Sequence, residues 1–306
     1  LLYTANLLGV IEQHELIPHL YADDTQICGY SPPSDVLQLQ ERVSGCVDDV
    51  AKWMQSNRLQ LNTAKTKVLW CASIRRQHQI PQPGLRVGVD VIVPSASVRD
   101  LGIYLDCDVS MRTHVSKVVS SCFAVLRRLR SIRSSVTRPV FVSLVVSLVL
   151  SRLDYGNATL AGITDRLMDR LRSVLNASAR LIYASRRTEH VTPLLRDLHW
   201  LRYPDRIDYK LAVLVYRCLH GLAPSYLADE FTRVSEIVSR RNLRSASTAN
   251  LVVPRFQRKT LGGRAFPVAA AQAWNSLPSH VTSSSSLASF KRSLKTELFL
   301  RSYVEA

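Results

Sequence analysis

The chain has 306 residues, 46% of them hydrophobic and 21% charged. These values exclude wholesale disorder and leave room for two domains, or one large one, with real cores. Against 24 Asp and Glu it carries 40 Lys and Arg, a formal charge of +16, which points to a polyanionic partner. The charge is unevenly placed: residues 1–110 hold 9 basic and 12 acidic side chains, and residues 111–306 hold 31 and 12. Only 8 of the cations are Lys, so most are Arg, the side chain suited to bidentate phosphate contact. Cysteines at 28, 46, 71, 107, 122 and 218 form no C-x-x-C pair and no metal-like spacing with His, which argues against zinc and against a disulfide framework and predicts buried free thiols.

In chain order, Leu1 to Ile11 is apolar but has neither the basic flank nor the cleavage site of a signal peptide. His19 to Cys28 reads as a β-hairpin: Leu20 and Tyr21 on one arm, Ile27 and Cys28 on the other, suit half-buried strands, and Ala22-Asp23-Asp24 supplies the turn. A carboxylate pair fixed on such a tip suits hard divalent cations. An Asx turn, with both Asp side chains bonded to their own backbone, is the alternative. After Ser31-Pro32-Pro33 a helix is predicted from Ser34, its candidate cap, to Asn57, with Val36, Leu39, Val43, Cys46, Val47, Val50, Trp53 and Met54 on one face. That helix should pack across the hairpin.

Lys65 and Lys67 then fall on a turn entering a predicted strand, Val68 to Cys71, and Arg75 to Gly84 reads as a loop. The alternating run Val87 to Val93 and the extended run Val98 to Leu105 predict a small antiparallel sheet. From Val115 the period becomes helical through Ile132, flanked by Arg127, Arg128, Arg130 and Arg133 with no acid between Lys117 and Arg138. Such a face favours phosphate contact over simple solvation. Val140 to Leu153, broken by Ser143, Ser147, Ser151 and Arg152, is too short and polar to span a membrane and reads as a core helix.

Further helices are predicted over Leu167 to Tyr183, ringed by Arg166, Arg170, Arg172 and Arg180, and over a segment opened by Pro204 and stopped at Gly221. Residues 233–264 form a basic extended stretch with Arg233, Arg240, Arg241, Arg244, Arg255, Arg258, Lys259 and Arg264. A terminal amphipathic helix carries Leu287, Phe290, Leu294 and Leu298. Trp200, Tyr226 and Trp274 read as core rather than base-stacking residues.

Three segments carry a resemblance. Tyr21-Ala22-Asp23-Asp24 with its apolar flanks, the helix end Trp53…Asn57-Arg58-Leu59-Gln60-Leu61-Asn62-Thr63-Ala64-Lys65-Thr66-Lys67, and Val98-Arg99-Asp100-Leu101-Gly102-Ile103-Tyr104-Leu105-Asp106…His114 resemble, in that order and spacing, the reverse transcriptase of a non-LTR (LINE-type) retrotransposon. Leu1 to Ile11 is similar to the helix after that family's nucleotide-pocket motif. His199-Trp200-Leu201, Tyr216 to Gly221, Pro224 to Leu227, Arg264-Ala265-Phe266 and Trp274 to Pro278 resemble the tail of the same elements.

The resemblance implies an α+β fold: a partial polymerase palm over 1–110, with the hairpin and primer-grip strands, a basic helical thumb over 111–190, and a mostly helical region with a basic extended segment over 191–306. It implies an RNA-directed DNA polymerase that acts on an RNA template and DNA primer, with deoxynucleoside triphosphates and two Mg²⁺ (or Mn²⁺) ions expected only in the complete enzyme. Asp23 would be the direct metal ligand with Asp24 in support, and Lys65 would face the nucleotide phosphates. Tyr21 and Ala22 would lie beneath the primer end, and Leu101 and Gly102 would grip the primer. Arg127, Arg128, Arg130 and Arg133 would hold nucleic acid. Because the family's other metal-binding Asp lies upstream of the hairpin, the chain is expected to be an inactive fragment. The expected setting is a nuclear or cytoplasmic ribonucleoprotein, neither membrane-bound nor secreted. A non-catalytic nucleic-acid-binding module is the alternative.

Overall fold

The computed structural model describes residues 5–81, 83–88, 90–236, 250–256 and 261–303. Its chain divides into two compact units, Leu1–Ser110 and Met111–Ala306. The architecture mixes helix and strand, is mainly helical, and its strands form small antiparallel sheets.

The first unit is built on α2, Val36–Ser56. The heptad-like apolar spacing buries Leu39, Cys46 and Val50 together with Leu7 and Ile11 of α1 (Ala5–Glu12) and Leu16, and Leu20 and Ile27 of the hairpin pack against this cluster. One face of α2 thus supports the hairpin, as the periodicity predicts. Val47, on the flank of that face, joins Leu85 and Val87 in a second small cluster. Ser34 does not cap α2. It lies in a 3-10 turn, Pro33–Asp35, and the capping position falls to Asp35, whose side chain makes no capping bond. Two successive prolines preset φ for that tighter turn and delay the helix.

The sheets are three separate hairpins: β1 (Ile17–Tyr21) with β2 (Asp24–Cys28), β3 (Leu85–Val87) with β4 (Asp90–Ile92), and β5 (Ser97–Asp100) with β6 (Ile103–Asp106). The predicted extended run from Val98 to Leu105 is therefore folded on itself at Leu101-Gly102. The predicted strand Val68 to Cys71 lies outside any ladder, joined to neighbouring backbone by isolated bonds, Ser95 N–H to Val68 O at 2.8 Å and Ala72 N–H to Cys107 O at 2.9 Å. The predicted loop from Arg75 instead begins in a 3-10 helix, Ile74–Gln79. Cys28 and Cys71 are exposed, which corrects the expectation of buried thiols; Cys46, Cys122 and Cys218 are buried.

The second unit is helical. Helix α3 (Arg112–Ile132) buries Val115, Val119, Cys122, Leu126 and Leu129, and α6 (Asp165–Tyr183) buries Leu167, Leu171, Val174, Leu175, Ala179 and Ile182; the two pack side by side. Between them in sequence, α4 (Arg138–Val145) runs into a π turn, Val146–Leu150, and a closing α turn, α5 (Ser151–Leu153). Phe141, Val145, Val149, Leu150 and Leu153 face the core, while Val140, Val146 and Leu148 are exposed. The run is thus only half a core helix.

After the short α7 (Thr192–Asp197), α8 (Tyr203–Leu219) packs against α6, α10 (Phe266–Asn275) and α12 (Leu287–Tyr303). Gly221 follows its end with φ +66°, a left-handed position that favours glycine. An aromatic stack crosses this core, Tyr216 on Phe290 at 4.5 Å and Trp274 on Phe290 at 5.7 Å between ring centres. Trp200 and Trp274 are core, but Tyr226, in the one-turn α9 (Ser225–Ala228), is 67% exposed. Arg240, Arg241, Arg244, Arg258 and Lys259 lie outside the described residues.

Candidate functional site

The hairpin tip places its two acids differently. Cross-strand pairing runs from Ile17 opposite Cys28 to Tyr21 opposite Asp24, so Ala22 and Asp23 form a two-residue turn and Asp24 opens β2. Ala22 takes φ +54°, where an L residue pays a steric cost. Alternation along β1 turns Pro18 and Leu20 inward and Ile17, His19 and Tyr21 outward, so Tyr21 is 65% exposed rather than half-buried. Asp23 and Asp24 are both exposed. Among the described residues neither carboxylate takes part in a hydrogen bond or an ion pair, so the Asx-turn alternative, which needs those bonds, does not hold.

Lys65 is exposed on the turn after Asn62, whose backbone oxygen and Oδ1 accept the Lys65 N–H at 3.1 and 3.2 Å. Asn62 therefore sets the turn. No ion pair among the described residues joins Lys65 to Asp23 or Asp24. Leu101 and Gly102 sit at the tip of the third hairpin, between paired Asp100 and Ile103, with φ +42° and +87°. Positive φ at both central positions matches the twist of a tight hairpin.

The fit to a metal centre is poor. Described residues hold no group of three or more His, Cys, Asp and Glu side chains that could bind an ion. A two-ion phosphoryl-transfer site needs cations about 4 Å apart held by several oxygen ligands, and two carboxylates on one turn do not supply them.

In the helical unit the four arginines singled out on and just after α3 separate. Arg130 and Arg133 line a groove of about 800 Å³ with Arg180 of α6 and Arg187 beyond it, alongside Phe123, Ser173 and Asn176. Arg127 and Arg128 do not reach it and are exposed. Arg133 is committed to structure, donating from Nε to Leu181 O at 2.8 Å and from Nη2 to Ile182 O at 3.3 Å. These are last-turn carbonyls of α6, which have no partner within the helix. Arg187 gave no signal in the sequence beyond its charge. What brings it to the groove is the turn at Ala184, φ +55°, that ends α6.

No helix among the described residues is long and apolar enough to cross a membrane. Fold and sites together define a mixed helix and strand chain with an exposed carboxylate pair on a hairpin tip in one unit and an arginine-lined groove in the other. Compared with known protein families, curated proteins and solved structures, the chain matches none.

Proposed function

We propose that this chain is part of an RNA-directed DNA polymerase of the non-LTR retrotransposon type, working within a nuclear or cytoplasmic ribonucleoprotein. In this reading β1 and β2 are the palm hairpin, Asp23 and Asp24 are two of the carboxylates that hold Mg²⁺ or Mn²⁺, and the arginine groove of the second unit binds the backbone of an RNA template and DNA primer. The observation that carries it is the carboxylate pair itself. Two adjacent acids repel each other, and here no hydrogen bond or ion pair among the described residues offsets that, so the tip is better suited to an outside cation than to local structure. The α2 face beneath Leu20 and Ile27 gives the tip the rigid backing that a positioned ligand requires.

Because the described residues complete no metal centre, the isolated chain holds template and primer without extending them. Lys65, exposed and unpaired among the described residues, is the group assigned to the triphosphate of an incoming nucleotide. The same shortfall, with the arginine groove, favours a second reading in which the chain is a non-catalytic nucleic-acid-binding module.

Two assays test these readings. A labelled RNA–DNA hybrid should bind the purified chain with an affinity that falls steeply as salt rises; weak, salt-insensitive binding would overturn both. Primer extension with Mg²⁺ should yield no product. Template-dependent synthesis lost in Asp23→Asn would overturn the incomplete site and establish a full polymerase.

A further inference from the structure

Four guanidinium groups from two distant segments line one groove in the helical unit: Arg130 and Arg133 from α3 and the turn after it, Arg180 and Arg187 from the end of α6 and beyond. Two of them are spoken for. Arg133 holds the last carbonyls of α6, and Arg180 Nη2 donates to Glu189 O at 3.1 Å. Neither Arg130 nor Arg187 is paired with a carboxylate among the described residues, and both are exposed. The Asn176 amide, also in the lining, has no hydrogen-bond partner among them either.

No acid among the described residues lines the groove. Glu189 stands at its rim and accepts from the Ser185 hydroxyl at 2.5 Å; that bond, a backbone hydrogen bond from Arg186 and the Arg180 charge lower its pKa. Four cations around one hollow repel one another, and the Glu189 carboxylate at its rim is exposed. The arrangement therefore favours an anion from outside, and guanidinium forks match phosphate oxygens in pairs.

We propose that this groove is a phosphate-chain site that takes consecutive phosphodiester groups of one nucleic-acid strand, with Arg130 and Arg187 as the free forks, Asn176 as a neutral donor between them, and Glu189 as an internal competitor. Arg133 and Arg180 are positioning residues that hold the walls. The inference rests on the nucleic-acid reading above and narrows it from a basic face to these residues; Arg127 and Arg128, though adjacent in sequence, lie outside the site.

The test uses the full chain, a labelled single-stranded oligonucleotide and inorganic tripolyphosphate as a second probe. Arg130→Gln/Arg187→Gln should weaken oligonucleotide binding at least about tenfold and lower the salt slope by about 1.4, the loss of two phosphate contacts. The matched control Arg127→Gln/Arg128→Gln removes the same charge and should change affinity by about twofold or less. Glu189→Gln should tighten binding. Unchanged circular dichroism in each variant excludes misfolding, since the side chains removed are exposed.

Equal losses in the groove and control variants would overturn the site and leave diffuse attraction, with the nucleic-acid reading intact. A wild-type chain that binds no oligonucleotide but binds tripolyphosphate through Arg130 and Arg187 would move the groove to a free polyphosphate and overturn that reading. No binding of either probe would overturn both.

Discussion

In residues 1–110 the strands form three separate hairpins, and α2 carries two small apolar clusters that hold the first two of them. In residues 111–306 the core is continuous, with α8 packed against α6, α10 and α12 and an aromatic stack through it. Chemistry follows the same division. The carboxylates lie at the tip of a two-stranded sheet that would be marginal alone, whereas the groove arginines lie on or just beyond long helices anchored by many buried residues. A hairpin site can be lost through a distant core substitution, while a helix-surface site can lose its charge and keep its shape.

The largest effect that sharpens this contrast is expected at Trp274, 1% exposed. Trp274→Ala should cost about 3–5 kcal/mol in thermal unfolding of the helical unit and leave the hydrogen exchange of β1 and β2 unchanged. Leu39→Ala, in the α2 cluster, should cost about 2–4 kcal/mol and do the reverse, speeding exchange at Leu20 and Ile27 but not in α8. If either substitution loosens both units equally, the division is wrong.

Smaller effects separate structure from binding. Arg133→Ala frees two last-turn carbonyls of α6 and should cost about 1–2 kcal/mol in urea unfolding. Arg130→Ala, with no such bonds, should be neutral in the same measurement. Smallest is a gain: Ala22→Gly relieves the positive φ at the hairpin tip and should stabilise the first unit by about 0.5–1 kcal/mol. A loss there would mean that the Ala22 methyl is held by contacts that outweigh its strain.

Elements with strong periodicity were legible in the sequence. α2, α8 and the terminal helix follow from one-sided apolar spacing, and the first hairpin from two short apolar arms around turn residues. What escaped depends on tertiary context. The extended run from Val98 hides its reversal because Leu101 is not a turn residue by type; Gly102 is the only cue. Val68 to Cys71 has strand composition but no continuous partner, and composition cannot report a missing ladder. Tyr226 reads as core by type yet sits exposed on a one-turn helix.

The candidate sites divide likewise. Asp23 and Asp24 share a tip because they are neighbours in sequence, whereas the arginine groove gathers residues more than fifty positions apart. Sequence proximity grouped Arg127, Arg128, Arg130 and Arg133, and the helix turn separated them, since successive residues on a helix point in different directions.

Manganese-induced broadening of backbone amide signals, recorded on the chain bound to an RNA–DNA hybrid whose phosphates supply further oxygen ligands, tests the palm assignment most directly. The account predicts that Tyr21 to Thr25 broaden selectively at low Mn²⁺ and that Asp23→Asn/Asp24→Asn abolishes the effect. Broadening that spares the tip, or that persists in the double variant, would contradict it.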